Sequence, residues 1–168
     1  MSVIIITKQS PTDYETGRLI ESFTTKDIAV RICHPDDFDI VVDRDIRKGI
    51  KYKGEDIELP KLVLVRLGAG ILPFQVAVLR HFEQAGVIVI NSSSSIETAK
   101  NKMMTSQLLS RAGIPIPNTM MVRFPIQEKL IAENIGYPCV IKVVTGSYGA
   151  GVYLCEKKRD YKKLVEFI

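Results

Sequence analysis

Short β-rich runs alternate with helical segments along the first ninety residues, and this alternation constrains the fold more than any other feature of the chain. Residues 3–7 are a short β-rich run that reads as a buried strand. Gln9, Ser10, Pro11 and Asp13 then supply turn chemistry, and residues 14–26 space Leu19, Ile20 and Phe23 at helical intervals. Residues 28–33 and 40–43 read as strands. Residues 50–53 and 56–59 flank Gly54 as a small hairpin. A strong central strand covers 62–66, an amphipathic helix 74–85 is closed by Gly86, and a last strand covers 87–90. Strands separated by helices need crossover connections, so residues 1–92 are expected to form a doubly wound parallel sheet.

The second stretch, 93–168, reads as a separate α/β lobe. Asn91 is followed by four serines, and Ser94 with Glu97 fits a capping box that opens a helix running to Arg111. Ile114-Pro115-Ile116-Pro117 forces an extended exit. A strand is expected over 119–123 and a short helix from Pro125 to Asn134. Residues 139–144 form an apolar strand interrupted by Lys142. Residues 145–151 then read Thr-Gly-Ser-Tyr-Gly-Ala-Gly, followed by a strand over 152–156 and a helix over 160–168.

The chain has 168 residues, of which 46% are hydrophobic and 25% charged, with a net charge of +4. Its one basic cluster, Lys157 to Arg159 with Lys162 and Lys163, lacks an aromatic strand beside it, so no nucleic-acid partner is expected. Cys33, Cys139 and Cys155 fall in separate apolar runs and read as buried free thiols of a reducing compartment. His34 and His81 share no ligand spacing, so no zinc site is expected. No run approaches the ~20 apolar residues of a membrane helix. No membrane association and a soluble, cytoplasmic protein are expected.

Three glycines within 146–151, between two strands, let backbone amides converge on one concavity suited to phosphate oxygens. The loop lacks the Gly-Lys-Ser/Thr ending of a Walker motif, and a strand follows it rather than a helix. A plain hairpin tip is the other reading. Lys142, inside an apolar strand just ahead of this loop, must meet an anion or reach water. Lys102 alone reads as an ordinary helix lysine. Gly68-Ala69-Gly70 imitates the start of a dinucleotide fingerprint, but Pro73 stands in the third glycine's place and Asn91 ends the next strand where an acid is needed. Arg66, at the carboxyl end of the central strand, is placed either to meet an anionic substrate or to pair with a carboxylate. Asp36 and Asp37 lie far in sequence from the lysines, and no acidic cluster suits a metal.

Taken together, Val65-Arg66-Leu67-Gly68, Leu79-Arg80-His81-Phe82-Glu83 and Asn91-Ser92 resemble the end of a pre-ATP-grasp domain. Ala99-Lys100-Asn101-Lys102 with 107–117, and Val140-Ile141-Lys142 with Gly146-Ser147-Tyr148-Gly149-Ala150-Gly151, resemble the first lobe of an ATP-grasp domain. The combination is similar to the RimK-type α-L-glutamate ligases of the ATP-grasp superfamily. That resemblance implies a pre-ATP-grasp domain over 1–92 and an incomplete N-terminal ATP-grasp subdomain over 93–168. It also implies ATP phosphates held by Lys102, Lys142 and the loop of Gly146, Ser147, Tyr148, Gly149, Ala150 and Gly151.

The activity it implies is ATP-dependent carboxylate–amine ligation through an acyl phosphate. Its substrates would be a glutamate-like amino acid and a carboxylate acceptor of unknown identity. ATP and magnesium are the implied cofactors, with the metal ligands in a C-terminal part beyond Ile168. Tyr148 departs from the glutamine common in the family's loop. The expectation is a fragment inactive alone, whether a cut-down piece, a split gene product or a natural remnant. The alternative is a non-catalytic binding or dimerisation module, and a homo-oligomer is possible on either reading.

Overall fold

The computed structural model describes residues 2–123, 127–144 and 151–167. They fall into two compact units, Met1–Glu97 and Thr98–Ile168.

The first unit contains β1 (Ser2–Thr7), α1 (Tyr14–Thr24), β2 (Ala29–Cys33), β3 (Phe38–Ile40), β4 (Ile50–Tyr52), β5 (Glu55–Asp56), β6 (Leu62–Arg66), α2 (Pro73–Gln84) and β7 (Ile88–Ile90). Four strands make a parallel sheet in the order β2-β1-β6-β7. β1 is central because it can be: Val3 to Ile6 are at most 3% exposed, so both of its faces are covered. β3, β4 and β5 form a second, antiparallel sheet. Its tight turn rests on Lys53 (φ 56°) and Gly54 (φ 80°), consecutive left-handed residues that match the twist of a two-residue hairpin.

One core joins these layers. Ile4, Ile6 and Val63 of the parallel sheet meet Val76, Val78, Leu79 and Phe82 of α2 and Phe38, Ile50 and Ile57 of the antiparallel region. Phe38 stands edge-on to Phe82 at 5.7 Å and to Tyr52 at 5.0 Å. Burying each such side chain stabilises the unit by about 1.5–3 kcal/mol. The strand expected over 40–43 lies instead at Phe38–Ile40, since Phe38 belongs to this core while Val42 is 77% exposed.

The helix expected to run unbroken from Ser94 to Arg111 is two helices, α3 (Ser93–Lys100) and α4 (Lys102–Arg111). Nor do Ser94 and Glu97 form the capping box. Ser92 Oγ accepts from the Ser95 amide, and Glu97 pairs with Arg80 at 2.7 Å. Glu83 accepts both the amide and the hydroxyl of Ser93, tying the start of α3 to α2.

The second unit adds α5 (Glu128–Asn134), β8 (Cys139–Lys142), β9 (Val152–Cys155) and α6 (Lys158–Phe167). β8 and β9 are antiparallel, and their inner face packs on α5 and α6 through Ile131, Cys139, Cys155, Tyr161 and Leu164. The strand expected over 119–123 is absent. Those residues take no regular structure, and a strand without a neighbour to bond has no ladder. The helix expected from Pro125 is seen from Glu128, while residues 124–126 lie outside the described part. Among the described residues no helix is long and apolar enough to cross a membrane.

Candidate functional site

Asn101 builds the first part of the site. Its side-chain oxygen accepts from the amides of Met103 (3.1 Å) and Met104 (3.0 Å), so α4 starts at Lys102 with two of its free donors satisfied. The Lys102 amide donates to the Val144 carbonyl at 3.4 Å, a contact that docks the head of α4 against the exit of β8. Lys102 is half-buried there, with its ammonium stem starting at the positive end of the helix dipole.

The hairpin builds the second part. Lys142 is the last residue of β8, opposite Val152, and it is exposed. It therefore reaches water rather than sitting in a closed core, as its strand alternates Cys139 and Ile141 inward against Val140 and Lys142 outward. The Val143 amide donates to the Gly151 carbonyl at 3.2 Å and closes the base of the loop. Gly151 has φ +69°, and a Cβ there would lie 3.1 Å from both Val143 methyl carbons. The position thus needs glycine for conformation and for space. Gly146, Ser147, Tyr148, Gly149 and Ala150 lie outside the described residues. The outer face of the hairpin leaves Val140, Val152 and Leu154 47–61% exposed beside Lys142.

Under the hairpin lies a pair that the linear sequence hides. Cys139 and Cys155 are direct cross-strand partners, both buried and both free thiols. Burial pushes both thiols above their usual range, and a hydrogen bond between them pulls Cys139 down while raising Cys155. Each stands eight residues from Ser147, so hairpin symmetry was the signal that would have paired them. Beside them Tyr137 is pushed up to about 12, first by burial and then by Glu128, whose carboxylate accepts from its hydroxyl at 3.5 Å. These groups stay protonated and serve packing.

In the first unit, Arg66 ends β6 as the register partner of Thr7 and is exposed. The ion pair that was one of its two readings is not formed among the described residues. Asp36 and Asp37 are engaged structurally: Asp36 accepts from Gln75 at 2.6 Å, and Asp37 from the Tyr52 hydroxyl at 3.2 Å. Among the described residues no three acidic, histidine or cysteine side chains converge as a metal site would require.

The donor set of the second unit, two lysines, a helix head and a glycine-closed hairpin, fits polyphosphate oxygens; it does not fit magnesium, which wants carboxylates. Residues 1–96 match the family model of the RimK PreATP-grasp domain, and residues 99–168 match that of the RimK-like ATP-grasp domain. The chain is 32% identical to the probable alpha-L-glutamate ligase 1 of Shewanella amazonensis over 97% of its own length and 54% of the relative's. It spans about half the length of the curated relatives it matches. Among solved structures it resembles a RimK domain ATP-grasp protein from Sphaerobacter thermophilus (TM-score 0.67, 22% identity, 99% of this chain and 59% of that one). It also resembles the ATP-grasp ligase PsnB complexed with minimal precursor, Mg and ADP (0.65, 20%, 97% and 62%). Those two likenesses establish the fold, and the family models establish the lineage: this chain belongs to the RimK family, a pre-ATP-grasp domain followed by RimK-like ATP-grasp sequence.

Proposed function

We propose that the chain is the amino-terminal part of an ATP-dependent carboxylate–amine ligase of the glutamate-ligase type, and that it carries the phosphate-binding half of the ATP site. The observation that carries this reading is the 3.4 Å bond from the Lys102 amide to the Val144 carbonyl, which brings the head of α4 to the exit of the strand bearing Lys142. Two lysines from separate elements then serve one anion. In the reaction class proposed, a carboxylate takes the γ-phosphoryl group of ATP to form an acyl phosphate, and an amine displaces the phosphate. The positive charges of Lys102 and Lys142, with the amides of the Gly146–Gly151 loop, would stabilise charge on the migrating group. Magnesium, the metal in the PsnB complex, would neutralise charge between phosphates. No carboxylate set for it is present among the described residues, and no step is routed through it.

The domain division at 92–93, the glutamate-like amine substrate and the carboxylate acceptor belong to the same reading. So does inactivity of the 168-residue chain by itself, because two lysines and a loop without metal ligands supply only screened attraction. Exposed charges are screened within about 8 Å at physiological ionic strength. Calorimetric titration of ATP with magnesium, at two salt concentrations and beside a glutamate ligation assay, tests this. Weak, salt-sensitive binding without turnover is expected. Tight, salt-insensitive binding or ligation by the purified chain would overturn the division of the site.

A further inference from the structure

Two thiols far apart in sequence meet across the root of the β8–β9 hairpin. Cys139 opens β8, Cys155 ends β9, and the register pairs them directly. The Val143 amide bonds to the Gly151 carbonyl, and bonded and non-bonded rungs alternate in an antiparallel ladder. The rung of Ile141 with Tyr153 is therefore a bonded one, and so is the rung of Cys139 with Cys155. Cα atoms on such a rung stand about 5.5 Å apart, inside the span of roughly 4.4–6.8 Å that a disulfide bridges. Both side chains lie on the inner face of the hairpin, with Cys139 7% and Cys155 1% exposed, and the two thiols are hydrogen-bonded to each other. The pair is thus poised to bridge without movement of the backbone.

The hydrogen bond also distinguishes the two sulfurs. It favours the charged form of Cys139 and opposes that of Cys155, the sign of Cys155 donating and Cys139 accepting. Cys139 is the more exposed of the two as well. It is the sulfur placed to attack an oxidant, and Cys155 is placed to resolve the product. Cys33 has no such arrangement. It lies in the first unit, fully buried, and faces Ile6 across the sheet.

We propose that Cys139 and Cys155 are a redox site, which a peroxide oxidises to an intramolecular disulfide that staples the root of the hairpin bearing Lys142. Cys139, as its thiolate, attacks one oxygen of hydrogen peroxide. The O–O bond breaks, the leaving hydroxide takes up the released thiol proton as water, and Cys139 becomes a sulfenic acid. Cys155 then attacks that sulfur, the S–O bond breaks, and the hydroxyl leaves with the Cys155 proton as a second water. The two thiols lose two electrons, and the peroxide gains them. Burial keeps both thiols protonated at rest, so the first step is slow and answers to sustained peroxide. The second step is fast, because the resolving sulfur is already in contact. In the reduced chain the pair only fills the core under the hairpin. The site stands whether or not the hairpin binds a nucleotide.

The test is to treat the folded 168-residue chain with hydrogen peroxide at neutral pH, block remaining thiols in denaturant, and map the peptides by mass spectrometry. A mass loss of two hydrogens, a peptide joining Cys139 to Cys155 and an unmodified Cys33 are expected, and dithiothreitol should restore both thiols. Hydrogen exchange at Val140, Ile141, Tyr153 and Leu154 should slow about tenfold in the oxidised chain, because the bridge limits how far the strands can part. Cys155→Ala should leave Cys139 as a sulfenic acid that dimedone labels, and Cys139→Ala should leave Cys155 unlabelled, both in chains whose amide spectra retain native dispersion. Absence of the joined peptide, a bridge that forms only in denaturant, or oxidation of Cys33 as readily as of the pair would overturn the site. Unchanged exchange would overturn the staple, and the opposite labelling pattern would overturn the two roles.

Discussion

Asn101→Ala removes the acceptor shared by the amides of Met103 and Met104 at the head of α4. Both amides sit near solvent, since Met104 is 43% exposed, so water replaces part of what is lost. An N-cap of this kind is worth about 1 kcal/mol, within a range of roughly 0.5–2 kcal/mol. That corresponds to about a fivefold change in the local opening equilibrium. Native-state hydrogen exchange should show protection falling about fivefold at Met103, Met104 and Thr105, while core amides of the first unit, such as Ile5 and Val63, keep theirs. Because the same turn carries the bond from Lys102 to Val144, ATP affinity should fall with it.

Asn101→Asp separates the two effects. It keeps an acceptor and adds negative charge at the helix head, which favours the helix and opposes phosphate. Helix protection should therefore survive in the Asp variant while nucleotide binding drops. If Asn101→Ala leaves exchange at Met103 and Met104 unchanged, or if the Asp variant binds ATP as well as the parent, the coupling of cap to site is refuted.

Gly49→Ala would place a Cβ 2.1 Å from the Val41 carbonyl oxygen and 2.6 Å from His81 Nε2, so a loss of about 3 kcal/mol in urea unfolding is expected, and a change under 0.5 kcal/mol would contradict the packing described. Lys142→Ala should remove most of the ATP binding measured by calorimetry and Lys102→Ala a smaller share, with both losses shrinking as salt rises; equal, salt-independent losses would count against a phosphate role. Burial raises the Cys33 thiol from 9.0 to about 11. Between those values the unfolded chain has released its proton and the folded chain has kept it. Stability should thus be fully present below pH 9 and decline towards pH 11, and Cys33→Ala should flatten that slope in denaturant titrations. All three thiols should resist alkylation at pH 8 until denaturant is added, because each is buried and protonated.

Periodicity made the parallel sheet of the first unit legible because short apolar runs alternate there with helical segments. Gly86, with φ +85°, ends α2 where a glycine was expected to. The small strands were harder. Ile40 read as the start of a strand, but the contact of Phe38 with Phe82, forty-four residues away, decides where pairing begins. The Ser94–Glu97 motif was satisfied on paper, yet Arg80 takes Glu97 and Ser92 takes the cap, a tertiary partner outbidding a local one. The capping role of Asn101 went unread, because the apolar spacing of Met103, Met104 and Leu108 masked the break in front of them. At the candidate site, Lys142 and Lys102 were named through resemblance. The residues alone gave Lys142 a reason to meet an anion and gave Lys102 none, because nothing local announces that its amide reaches Val144.

The strand order also governs how the first unit can assemble during synthesis. β1 leaves the ribosome ahead of both its partners, and its neighbour β2 follows soon after, but β6 lies about 60 residues downstream. At about 5–20 residues per second, translation leaves the most apolar strand of the chain half-paired for about 3–12 seconds. Closing that long loop is entropically slow, and an unpaired edge of Val3 to Ile6 is a template for any other strand nearby. A chain stalled before Leu62 should therefore be captured by chaperones that recognise extended apolar segments, and released once the codons for Leu62 to Arg66 have been read and their product has cleared the exit tunnel.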